Sequence, residues 1–183
     1  AGVDTASAGD TVMVGAGTYD EGGRADAQSG MMNRVCVDKP VHLLGVAGAA
    51  ETFIIGSTNA SIRGVYMANG ASLVGFTVMQ GHGGVMGGLG SNCVITLNRG
   101  GVACGAPGVT FAKVWNTLIS SNSNEIYYYG AGAAISELHN CVLRGNEGGS
   151  GAGAYGSSLY NCLLTENSSE YYGGGAKECN LFN

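Results

Sequence analysis

Apolar and polar residues alternate in short runs along this chain, and each run closes on Asn or Gly. In NCVLRGN, Asn140–Asn146, Cys141 and Leu143 alternate with Val142 and Arg144. This is the two-residue period of a strand, so Cys141 and Leu143 are expected to point inward, with Asn140 and Asn146 at corners. The same phrase stands at Asn92–Asn98, Asn116–Asn122 and Asn161–Asn167, and Asn183 sits where a fifth copy would begin. The spacings between starts are 24, 24, 21 and 22 residues. A second phrase precedes the copies: Gly130–Asn140, Gly151–Asn161 and Gly173–Asn183 align without gaps, and Ala106–Asn116 fits the same frame.

The front of the chain is less regular. Ala8–Glu21 reads as a strand-turn phrase. Lys39–Val46, Glu51–Ser57, Arg63–Gly70 and Ser72–Gly81 read as further strands. Asp20–Arg34 has no periodicity and reads as a long excursion. The expected organisation is one domain over residues 1–183, with irregular coils over 1–81 and regular repeats over 82–183.

A period in the low twenties belongs to solenoids. The leucine-rich pattern is absent, and several Gly per repeat would spoil a helical back. The expected fold is therefore all-β, a parallel β-helix. Asn tolerates the left-handed conformation that a sharp bend needs. Stacked strands place equivalent Asn about 4.8 Å apart, close enough for amide ladders. Asn92, Asn116, Asn140 and Asn161, continued by Asn183, form one candidate ladder; Asn98, Asn122, Asn146 and Asn167 form the other. Cys93, Thr117, Cys141 and Cys162 would stack just inside the first.

Composition narrows the functional classes. The chain has 183 residues, 34 Gly, 2 Pro and a formal net charge of -5. Gly without Pro argues against collagen, and an apolar content of 45% argues against disorder. The acidic balance argues against nucleic acid, which needs a basic face. No apolar run is long enough to predict a membrane span. Six Cys would permit three disulfides, but three of them recur at one repeat position, which favours buried thiols.

The phrases AGDTVMVGAGTYDE, KPVHLLGV and LVGFTV resemble the opening coils of bacterial pectin-lyase-like proteins. That resemblance implies a right-handed parallel β-helix with a short N-terminal helical cap, here Val3–Ala8. Gly174–Ala176 and Leu164–Asn167 are similar to repeats of surface proteins of the polymorphic-membrane-protein type, although Ile or Leu stands here where those usually carry Phe. The resemblance implies an extracellular or bacterial cell-surface location. It carries little about function, because one fold hosts many functions.

A lyase on such a scaffold needs a base and commonly Ca²⁺ held by carboxylates, and a hydrolase needs two facing carboxylates. Neither constellation stands out. Asp20 and Glu21, with Asp26 nearby, would be a Ca²⁺ site; the plainer reading is a solvated loop. His42, His82 and His139 share no repeat position, and none of Lys39, Lys113 and Lys177 reads as a base.

One surface feature remains. Tyr127, Tyr128 and Tyr129 fall in one loop, Tyr171 and Tyr172 in another, with Glu125, Glu147 and Glu170 nearby. In the repeat frame Tyr129, Ser150 and Tyr172 align. The two clusters would wall a trough with a Gly/Ser floor, fit for a polysaccharide or cell-surface glycan. The alternative is Tyr packing over Gly-rich turns for stability alone. The reading that results is a non-catalytic adhesin or glycan-binding scaffold. Its alternatives are a polysaccharide lyase or glycoside hydrolase, and a unit that self-associates end to end. The last follows from a chain that stops in mid-repeat, which also reads as a fragment of something longer.

Overall fold

The computed structural model describes residues 2–99, 112–124 and 129–183. Cys104, Glu125, Tyr127 and Tyr128 lie outside the described residues. The described chain is all-β apart from a four-residue helix, Gly2–Thr5, near the place where a helical cap was expected. Val3 and Ala6 pack from this segment against the core.

Two parallel sheets carry the length of the molecule. The first has eight strands, from Thr11–Val14 through Lys113–Trp115, Glu137–His139 and Ser158–Tyr160 to Asn180–Phe182. The second has seven, from Gly17–Tyr19 through Val94–Thr96, Leu118–Ser120 and Val142–Arg144 to Leu163–Thr165. Neighbouring strands within each sheet come from successive repeats, so the chain leaves a sheet and returns to it one strand further along. Shorter sheets form a third side: Met32–Val37 with Arg63–Met67 and Val85–Met86 at the front, and Ala133–Ala134 with Ala154–Tyr155 and Ala176–Lys177 behind. This order is compatible with a β-helix or solenoid.

The core lies between the sheets. Leu43, Leu73, Val114, Leu138 and Leu159 fill it from the first sheet, and Ile54, Val78, Ile95, Ile119 and Leu143 from the second. Cys141 and Leu143 are buried while Arg144 is exposed, as the alternation predicts. Full burial of one such aliphatic chain contributes about 1.5–3 kcal/mol. The stacks of core side chains are thus a large share of what holds successive repeats in register.

The excursion expected over Asp20–Arg34 is shorter and more ordered than its composition suggests. Arg24–Ala25 pairs antiparallel with the start of Met32–Val37. The alternation was hidden because Asn33 points inward. It is fully buried, and its amide bonds Asp26 and the carbonyl of Met31 while its oxygen accepts from Arg63.

Register explains the uneven spacings. Ser123 pairs with Glu147 and Tyr129 with Ser150, so six positions in one repeat face three in the next. Ser150 then pairs with Tyr172 across a shift that adds one residue. From Lys113 onward the first two sheets keep matching register, so the change in length among the regular repeats is absorbed at this corner.

Candidate functional site

Three corners of the described regular repeats are built alike: a residue with left-handed backbone, then a small polar side chain pointing inward. At the first corner the left-handed residues are Asn92, Asn116, Asn140 and Asn161, with φ between 48° and 52°, followed by Cys93, Thr117, Cys141 and Cys162. At the second they are Leu97, Ser121, Gly145 and Glu166, followed by Asn98, Asn122, Asn146 and Asn167. At the third they are Ile135, Gly156 and Glu178, followed by Ser136, Ser157 and Cys179.

The two asparagine columns therefore differ. In the second, Asn122 Nδ2 donates to Asn146 Oδ1 at 3.0 Å and Asn146 Nδ2 to Asn167 Oδ1 at 2.9 Å. Each amide also donates to a carbonyl of the preceding repeat, Ile95 and Ile119 for these two residues. Each Oδ1 accepts in addition from the backbone N–H of the preceding column member. In the first column the asparagines are exposed, and the amide bond between them is a long one from Asn140 to Asn116 at 3.4 Å. Inside that column Thr117 Oγ1 accepts from the N–H of Cys93. Cys36, Cys93, Cys141, Cys162 and Cys179 are unbridged. Burial pushes the Cys93 thiol up.

The tyrosines form a different arrangement from the open trough expected. Tyr129, Ser150 and Tyr172 do share a register line. However, Tyr129 stacks on Tyr155 with ring centroids 4.3 Å apart. The Lys177 ammonium lies 5.2 Å from the Tyr129 ring and 5.2 Å from the Tyr172 ring, and so fills the space between them. Tyr155 Oη donates to Glu178 at 2.6 Å, which pushes the phenol up to about 12. Tyr171 remains exposed.

Beside these rings lies a depression of about 350 Å³, lined by Ser123, Asn124, Glu147, Gly148, Ser168, Ser169 and Glu170. It sits at the corner that absorbs the changes in repeat length. Its lining mixes the hydroxyls of Ser123, Ser168 and Ser169 and the carboxylates of Glu147 and Glu170 with a slightly larger share of apolar surface. Asn124 Nδ2 is tied to the carbonyl of Tyr129, linking the depression to the tyrosine cluster.

The three acids considered for Ca²⁺ do not make a site. Asp26 is buried and committed to Ser29, Asn33 and Arg63, with the guanidinium 3.4 Å from its carboxylate. Those partners hold its carboxyl below the usual range against the opposing effect of burial. Asp20 and Glu21 are exposed. Among the described residues no group of three or more His, Cys, Asp or Glu could hold a metal ion.

A further surface array was missed in the sequence. Trp115, His139, Tyr160 and Phe182 pair across the first sheet and stack outward, with centroids 5.4, 4.4 and 4.6 Å apart and planes within 9° of parallel. The signal was present, because each aromatic directly precedes the corner asparagine in KVWN, ELHN, SLYN and NLFN. His139 also bonds Glu137 at 2.9 Å, and Glu137 bonds Lys113 at 2.9 Å. The His139 and Lys113 contacts hold the Glu137 carboxyl below its ordinary range.

No protein-family model, curated protein or solved structure matches the chain. Among the described residues no helix is long and apolar enough to cross a membrane.

Proposed function

We propose that this chain is a right-handed parallel β-helix of pectin-lyase-like build that acts outside the cell, or at a bacterial surface, as a non-catalytic glycan-binding module or adhesin. The handedness follows from the general rule that crossovers between parallel strands of one sheet are right-handed. The single observation that carries the function is the depression whose lining includes both Glu147 and Glu170. Carboxylates and hydroxyls accept and donate bonds to sugar hydroxyls, and the exposed Tyr171 beside Glu170 offers a ring face to a sugar. A net charge of -5 favours neutral glycans over polyuronates.

Affinity electrophoresis through gels containing soluble polysaccharides tests this reading. Retardation by at least one neutral polysaccharide is expected, and the double variant Glu147→Gln, Glu170→Gln should lose it. Equal retardation of the double variant would overturn the assignment.

A hydrolase is the second reading, because Glu147 and Glu170 line the same depression and inverting or retaining chemistry uses two carboxylates. New reducing ends released from a retarding polysaccharide would establish it. Unsaturated products absorbing in the ultraviolet would point to a lyase instead.

A further inference from the structure

The inward column at the first corner reads Cys93, Thr117, Cys141 and Cys162 in successive repeats. Thr117 keeps Cys93 and Cys141 two strand spacings apart, about 9.6 Å, which is beyond the reach of a disulfide. Cys141 and Cys162 are immediate neighbours. Their strands pair in parallel from Val142 and Leu163 onward, and the Leu163 N–H donates to the Cys141 carbonyl at 2.9 Å. Their Cα atoms thus stand one strand spacing apart, about 4.8 Å, within the roughly 4.4–6.8 Å that a disulfide spans. The side chains share one orientation. Each thiol meets the carbonyl two residues before it and a carbonyl of the preceding repeat. These are His139 and Val114 for Cys141, and Tyr160 and Leu138 for Cys162. The two sulfurs also lie within hydrogen-bond reach of one another.

We propose that Cys141 and Cys162 are a redox-closable pair, which a small disulfide converts into a covalent staple between successive repeats. Cys162 reacts first, because it is half-buried whereas Cys141 is 1% exposed. The Cys141 thiol beside it holds the Cys162 thiol below its ordinary range, which favours the nucleophilic thiolate. Burial pushes the thiols of Cys36, Cys93 and Cys179 the other way. The Cys162 thiolate attacks one sulfur of the small disulfide, forming a mixed disulfide and expelling one small thiolate. Cys141 then loses its proton to solvent, and its sulfur displaces the second small thiolate from Cys162. Two protein thiols and one small disulfide thus become one protein disulfide and two small thiols. The staple encloses residues 141–162, including Glu147 and Ser150 at the corner where repeat length changes. It therefore fastens the repeats at the place where their lengths differ. An oxidising compartment closes the pair and a reducing one opens it.

The test incubates the chain with oxidised glutathione, blocks remaining thiols by alkylation, then unfolds the product and cuts it with trypsin. Arg144 separates the two cysteines, so the staple joins peptides 114–144 and 145–177, each holding a single cysteine. The joined peptides are expected as the main product, with Tm raised by about 5–10 °C and restored by dithiothreitol. Cys141→Thr places at this step the residue that Thr117 already supplies one repeat earlier. It should stop at the mixed disulfide, with glutathione held on peptide 145–177 and no rise in Tm. Cys93→Thr should close as the wild type does. Glutathione retained on Cys162 in the wild type, an unmodified Cys162, a bridge to another cysteine or closure without a rise in Tm would each overturn the proposal. The staple and the depression are independent, so the gel assay and this one fail separately.

Discussion

Asn140 and Asn146 stand six residues apart in one repeat, each in register with asparagines of the neighbouring repeats, yet they face opposite surroundings. Asn140 is exposed and has φ of 52°; Asn146 is buried, and the residue before it, Gly145, takes the left-handed turn. The first column uses the backbone tolerance of asparagine, and the second uses its side-chain amide. One residue type thus answers two physical demands: a bend without a steric penalty, and a buried polar group with its donors and acceptor satisfied. Of the two candidate ladders, the second is a buried amide ladder, and the first is a row of exposed left-handed turns with one long amide bond from Asn140 to Asn116.

The sharpest break of this comparison is Asn146→Ala. It leaves the N–H of Asn122 without its acceptor inside the fold and removes the amide's bonds to the carbonyl of Ile119 and to Asn167, whose oxygen keeps only the backbone N–H of residue 146. Stability in urea should fall by about 3–5 kcal/mol, because each unsatisfied buried group costs about 1–3 kcal/mol. A loss below about 1 kcal/mol would mean that the amides are dispensable and the two columns equivalent.

The crossed pair at Asn140 comes next. Asn140→Ala should cost about 1 kcal/mol, the penalty of a left-handed non-glycine residue. Asn140→Gly should change stability by less than about 0.5 kcal/mol, whereas Asn146→Gly should be as damaging as Asn146→Ala. Equilibrium unfolding of the four variants gives the pattern, and a damaging Asn140→Gly would show that the exposed amides also matter.

The third corner sharpens the comparison through pH. Glu178 is a left-handed corner residue whose carboxylate faces outward and accepts from Tyr155. That bond raises the phenol, so its contribution to stability is complete below about pH 10 and is lost as the pH rises through about 12. Ultraviolet titration of the phenolates should show one fewer late-ionising tyrosine in Glu178→Gln than in the wild type. The smallest effect is expected at Arg144, which pairs with Glu166 on the exposed side of the second corner. Arg144→Ala should shift stability by about 0.5 kcal/mol or less.

Much of this was legible in the residues themselves. The all-β parallel character, the inward placing of Cys141 and Leu143 and the register of the asparagines followed from a two-residue alternation recurring at a near-constant interval. The strand Met32–Val37 was not legible, because its inward positions include Asn33, a polar residue whose bonds run to Arg24, Asp26, Met31 and Arg63. Asp26 was misread for the same reason, since nothing near it in sequence announces the guanidinium of Arg63. The shared register line of Tyr129 and Tyr172 followed from the repeat frame, but the cation between their rings did not. Lys177 reaches the Tyr129 ring from two repeats away, and an alternation pattern carries no information about which long side chain bends back over a neighbour. The ring column could have been found, because its four members hold one fixed place before the corner asparagines.

The corner between Ser123 and Tyr129 accommodates three residues more than its counterpart in the next repeat, and the strands on either side do not move out of step. Length variation there is decoupled from the rest of the architecture. The corner is thus the natural graft point of the molecule, where new peptide could be spliced in and presented beside the depression at little risk to the folding of the remainder.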